Sequence, residues 1–171
     1  MSRRQSRCAG SARLAMVLAV LLSAAPLASA GEGEPSGKLP RFVSLRSDQV
    51  NLRVGPGENY PIEWVLTRKE MPVEIVKEFE NWRMIRDWQG TEGWVHERML
   101  TGKRAVVIKG GIRTLHRQPD PASPAVARAQ PGVIAKLLEC RADWCRIDAA
   151  DHAGWVQRGD LWGVSPDEIV Q

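Results

Sequence analysis

Glu92-Gly93-Trp94-Val95-His96 and Ala153-Gly154-Trp155-Val156-Gln157 are two versions of one stretch. Upstream of each lies another tryptophan that opens a short apolar segment. In the first it is Trp82-Arg83-Met84-Ile85, and in the second Trp144-Cys145-Arg146-Ile147. Trp82 and Trp144 are 62 residues apart, and Trp94 and Trp155 are 61 apart. Matching aromatic landmarks at a near-constant period mark an internal duplication. The chain reads as two small all-β modules in tandem.

Around the first copy, Phe42–Leu45, Val50–Val54, Ile62–Leu66, Pro72–Phe79, Trp82–Arg86 and Thr91–His96 read as short strands. They alternate in part and are bounded by turn residues. Gly55-Pro56-Gly57 forces a turn between the second and third, since Gly tolerates positive φ and Pro fixes its own. Val73, Ile75 and Phe79 fall on one face of their strand, and Glu97–Leu100 reads as one helical turn. Ala105–Ile108 is a closing strand or a bridge to the next module. The second copy repeats the plan with strands at Ile112–His116, Val133–Cys140, Trp144–Asp148 and Gly154–Gln157, and an irregular tail at Gly163–Gln171. The expected modules are residues 41–108 and 109–171. Each holds about five strands and closes on itself as a small barrel. A module of this size buries only about 60% of its unfolded surface. The two copies are therefore expected to pack on each other, through Trp162 and the Ala105-Val106-Val107-Ile108 segment.

Residues 1–30 precede this design. Arg3, Arg4, Arg7 and Arg13 lead into an unbroken apolar run, Leu14–Leu22, and then Ala28-Ser29-Ala30. That is the layout of a secretory signal peptide cleaved after Ala30, too short to anchor in a membrane. Export to the periplasm, with secretion as the alternative, is the expected localisation. The leader holds four of the 24 basic residues and none of the 20 acidic ones. Without it the chain is formally neutral, so its basic character gives no support for nucleic-acid binding. Residues 31–40 are polar and read as a disordered linker.

Cys140 and Cys145 flank the turn Arg141-Ala142-Asp143. As cross-strand partners they would sit within bonding reach, and an exported protein meets an oxidising compartment. A Cys140–Cys145 disulfide is expected, worth about 2 kcal/mol for so short a loop. A redox or metal pair is the rival, disfavoured by the spacing and by the shortage of further ligands. His96, His116 and His152 have no metal-ligand spacing, and no nucleophile elbow is present. No metal, cofactor or enzymatic activity is expected.

Val50-Asn51-Leu52-Arg53-Val54-Gly55-Pro56-Gly57-Glu58-Asn59-Tyr60-Pro61, followed by Gly93-Trp94-Val95, resembles the bacterial Src-homology-3-like domain. The second module keeps the tryptophans but has Arg113-Thr114-Leu115-His116-Arg117 where the first has its Asn-Leu-Arg, and is the divergent copy. As a tandem pair behind a signal peptide, the chain looks like a family of exported bacterial proteins. The resemblance implies a binding role, with peptidoglycan or an envelope protein as partner. The alternative is a structural or regulatory partner of a cell-wall hydrolase. The implied groove is lined by aromatics, for which Tyr60, Trp64, Trp82 and Trp88 are candidates. The competing expectation is that Tyr60, Trp82 and Trp94 plug the barrel ends. Arg53 and Arg86 are candidates to accept a peptide carboxylate, or else solvated strand residues.

Overall fold

The computed structural model describes residues 37–170. The expected signal peptide and linker residues 31–36 lie outside the described residues. The first barrel comprises β1 (Arg41–Leu45), β2 (Val50–Arg53), β3 (Ile62–Leu66), β4 (Pro72–Phe79), β5 (Trp82–Arg86), β6 (Glu92–His96), a 3-10 turn (Glu97–Met99) and β7 (Leu100–Thr101). The second comprises β8 (Ala105–Ile108), β9 (Arg113–His116), β10 (Ala125–Ala129), β11 (Ile134–Arg141), β12 (Trp144–Ala149), β13 (His152–Gln157), a 3-10 turn (Arg158–Asp160) and β14 (Leu161–Trp162).

The strand orders are β3-β2-β6-β5-β4-β1-β7 and β10-β9-β13-β12-β11-β8-β14. Subtracting seven from each label of the second gives the first, so the duplication holds strand for strand. Each sheet wraps around one core. Leu52 of β2 and Leu100 of β7 lie far apart in sheet order, yet share a cluster with Leu45, Val73, Ile85 and Val95. A flat sheet could not bring them together. Leu115, Leu137, Ile147, Val156 and Leu161 fill the second core in the same way.

Both copies carry a bulge at the same place. The β4–β5 register slips between Ile75 and Lys77, and the β11–β12 register between Leu137 and Glu139. An extra residue reverses which side of the strand the following residues face. Val73 and Ile75 therefore point into the core, and Phe79, expected on the same face, does not: it is exposed. The reversal also makes Cys140 and Cys145 direct cross-strand partners, joined by a disulfide across a Cα separation of 4.1 Å. The first barrel has Glu78 opposite Arg83 at this position, and they form an ion pair at 3.3 Å. Arg41 meets Glu78 at 2.6 Å, and Arg83 meets Glu97 at 2.7 Å. One copy closes its hairpin covalently, the other with charge.

Three expectations are corrected here. Each barrel has seven short strands rather than about five: the two-residue β7 joins the six read from sequence in the first, and β8, β10 and β14 join the four read in the second. Ala105–Ile108 is not a closing strand of the first module but the first strand of the second sheet. It is β8, hydrogen-bonded to β11 and β14, which moves the boundary between the barrels from Ile108 back to residues 102–104. Linker residue Leu39 is not free in solvent, since it packs against the first core.

β8 lies where the second barrel meets β4 of the first, and all four of its residues are buried. Val106 and Ile108 face the second core, and Val107 pairs with Trp162. Phe42 of the first barrel meets the Trp162 ring edge-on, with centroids 5.1 Å apart. Ile134 packs against the first core. The expected junction through Trp162 and residues 105–108 is therefore present.

Candidate functional site

Alternation along β5 and β6 decides where the tryptophans lie. Ile85, Gly93 and Val95 are buried, so Trp82, Met84, Trp94 and His96 fall on the opposite, outer face. None of these four belongs to the core cluster. The expectation that Trp82 and Trp94 plug the barrel is overturned. The signal was available in Gly-Trp-Val itself: Gly and Val share a face that Trp cannot share.

Register assembles the outer face into rows. One row runs Lys77, Met84, Trp94, Arg53, Ile62 across five strands. A second runs Phe79, Trp82, His96, with the Trp82 and His96 rings edge-to-face at 5.5 Å. Phe79 is 51% exposed. A third runs Glu74, Arg86, Glu92. The face is thus apolar and aromatic at its centre and charged at its margins.

The loop from Val54 to Pro61 supplies Tyr60, which is 46% exposed. Val54 N donates to Pro61 O (3.1 Å), Gly57 N to Gly55 O (3.0 Å) and Tyr60 N to Gly57 O (3.3 Å). The Tyr60 ring lies on Gly55, where a Cβ would overlap it. Arg53 donates from Nη1 to the Tyr60 carbonyl at 2.6 Å. The second barrel repeats this loop 63 residues on: Arg117 N donates to Pro124 O, Asp120 N to Gln118 O, and Ser123 N to Asp120 O. The His116 ring Nδ1 lies 2.9 Å from the Ser123 carbonyl, as Arg53 does at Tyr60. Loop shape is kept while the aromatic at position 60 becomes Ser123.

Of the sequence candidates, Tyr60 and Arg53 lie at this face, although Arg53 is committed to a loop carbonyl. Arg86 is also engaged. It meets Glu92 at 2.8 Å and Glu74 at 3.4 Å, and the hydrogen bond to Glu92 raises its pKa further. Trp64 is 56% exposed but pairs with Leu52 in the β2–β3 ribbon, on the side opposite Arg53. Trp88 belongs elsewhere. Asp87, buried, accepts from Gln89 N (2.9 Å) and Thr91 N (2.8 Å) and so shapes the turn that carries Trp88. The indole reaches Gly132 of the second barrel, where a Cβ would lie 4.0 Å from its Cη2. Arg68 donates to the Gly132 carbonyl at 3.3 Å. Trp88, 38% exposed, thus lies beside the second barrel rather than in the rows of the outer face. Phe79 and Met84 are the site residues that sequence reasoning missed. The bulge hid the first, and nothing in an isolated Met distinguished the second.

On the same face of the second barrel the tryptophan is covered. Trp155 pairs with His116 and Arg146 in the positions of Arg53 and Met84, but is only 7% exposed. The Arg141 guanidinium lies over its ring, 5.7 Å from the centroid. Glu139 holds Arg141 at 2.8 Å. The His116 and Trp144 rings meet edge-to-face at 5.9 Å.

Among the described residues no group of His, Cys, Asp and Glu could hold a metal ion, and no helix is long and apolar enough to cross a membrane. No curated protein matches the chain. Similar solved structures include NlpC2 from Trichomonas vaginalis, with 13% identity over 74% of this chain and 49% of that one, at a TM-score of 0.34. NlpC1 from the same organism shows 12% identity over 74% and 47%, at 0.33. An NlpC/P60 family protein from Bacillus cereus shows 12% over 71% and 55%, at 0.32. The chain spans about half the length of these proteins. The bacterial SH3 domain matches twice, at residues 46–102 and 109–163, each from just after the barrel's first strand to just past its last. With both barrels matched and the same strand order in each, the chain belongs to the bacterial SH3 domain family.

Proposed function

We propose that the protein is an exported, non-catalytic binding module whose first barrel holds a cell-wall peptide or a segment of an envelope protein. The observation that carries this is the position of Trp82, Met84, Trp94 and Phe79 on the outside of a barrel whose interior is filled without them. A contiguous apolar face of this kind on a small soluble fold marks an interaction surface. Rigid aromatic side chains bind extended peptides at low entropic cost. Export rests on the leader sequence, and the wall preference on the family.

Retention on purified sacculi at low salt tests the proposal. The wild-type protein is expected to be retained, Trp94→Ala to wash through, and Trp88→Ala, altered outside the rows of that face, to be retained. If the wild-type protein washes through and captures no envelope protein, the proposal fails.

A further inference from the structure

The two copies of one row differ in chemistry. In the first barrel the row reads Lys77, Met84, Trp94, Arg53. In the second it reads Glu139, Arg146, Trp155, His116. The second row is satisfied from within. Glu139 meets Arg141 at 2.8 Å and Arg146 at 3.9 Å, Arg141 covers Trp155, and His116 is tied to Ser123.

The first row has no such closure. Phe79 stands where Arg141 stands, each paired with its hairpin tryptophan, and it brings no charge over Trp94. Lys77 replaces Glu139, is exposed, and has no ion-pair partner among the described residues. Arg53 lies on the other side of Trp94, its guanidinium turned to the Tyr60 carbonyl. The nearby carboxylates Glu74 and Glu92 are already paired with Arg86. Met84 and Trp94 therefore lie between two cations, Lys77 and Arg53, with Ile62 beyond Arg53. Lys77 and Arg53 stand about 14 Å apart, three strand spacings.

Resting on the binding role proposed above, we infer that the first barrel selects ligands carrying a carboxylate, which Lys77 receives while the ligand's apolar part lies on Met84 and Trp94. Lys77 is then the specificity-determining residue of the face. The second barrel is the closed counterpart, with Glu139 and Arg141 as its internal occupants. An ammonium–carboxylate contact beside an apolar surface is stronger than a fully solvated one. A carboxylate placed against Glu139 would be repelled.

The test uses the full chain and soluble stem peptides released from sacculi, before and after amidation of their carboxylates. Binding is followed by tryptophan fluorescence. Amidation and Lys77→Ala, each removing one partner of the contact, should weaken binding about two- to fivefold, and Lys77→Glu, which sets a like charge there, about tenfold or more. The double change Lys77→Glu with Phe79→Arg installs the second barrel's own closure and should abolish binding. Both residues are exposed, so folding should be unaltered, as circular dichroism would verify. If untreated and amidated peptides bind alike and Lys77→Glu binds as the wild type does, the inference is overturned while sacculus retention stands. Loss of sacculus retention by the wild-type protein would instead overturn the binding role itself.

Discussion

Gly93 and Gly154 open the sixth strand of each barrel toward its core, and each lies against a leucine of the second. A Cβ at Gly93 would come within 2.9 Å of Leu52 Cβ, and one at Gly154 within 2.8 Å of Leu115 Cβ. Neither leucine can retreat, because both are fully buried. Gly93→Ala and Gly154→Ala should each lower stability by about 1–3 kcal/mol in urea unfolding, the cost of overpacking. At the second hairpin, changing both Cys140 and Cys145 to Ser should cost about 2 kcal/mol, read as a lower urea midpoint. The C-terminal segment offers a pH-dependent counterpart. Glu168 is held by Arg104 through both carboxylate oxygens, one contact at 3.0 Å, and accepts from Ser165 N at 3.1 Å. The Arg104 hydrogen bond, against the opposing effect of burial, keeps its pKa below the ordinary glutamate value. A lowered folded-state pKa adds stability above the unfolded-state value and loses it as pH falls through the folded one. Glu168→Gln should therefore be less stable than the wild type at pH 7. The gap should shrink from about pH 4.5 downward. A gap that stays constant between pH 7 and pH 3 would remove Glu168 from this role.

At the scale of elements, β8 has the most consequence, since all four of its residues are buried and it lies where the second barrel meets β4 of the first. The Phe42–Trp162 contact across it is edge-on, a geometry worth about 0.5–1.5 kcal/mol beyond area burial. A double-mutant cycle of Phe42→Ala and Trp162→Ala should show a coupling of that size, and no coupling would mean the barrels merely touch. Elements with large alternating residues were legible from the chain alone: β4, β5, β6, β11, β12 and β13 all were. β10 was not. Ala125-Val126-Ala127-Arg128-Ala129 has three alanines, which carry little strand preference, and it is recognisable only because β9 needs a partner there. The bulges at residues 76 and 138 were equally silent. They reverse a face through backbone register and leave no mark in residue type. That is why simple alternation puts Phe79 on one face with Val73 and Ile75, and why only the hairpin argument places Cys140 opposite Cys145.

For the whole molecule, a single design was duplicated and then divided in chemistry. The period of 61–63 residues carried the tandem architecture, because landmarks at matching spacing require matching topology. The tail, though irregular, is pinned rather than loose: Cys140 N donates to Val170 O at 2.9 Å, and Arg158 reaches the Ser165 and Glu168 carbonyls at 2.7 and 2.8 Å. The binding face was only half legible. Tyr60 and Arg53 announced themselves through the loop, whereas the outward direction of Trp94 required the alternation to be resolved. The closure of Trp155 required a contact between residues fourteen positions apart in sequence. Trp94 and Trp155 occupy the same register position, one half-buried and open, the other covered. Trp94→Ala and Trp155→Ala, measured side by side for retention on purified sacculi, therefore test the account most directly. It predicts that Trp94→Ala is lost in the wash while Trp155→Ala is retained like the wild type. Retention of Trp94→Ala together with loss of a folded Trp155→Ala would contradict it.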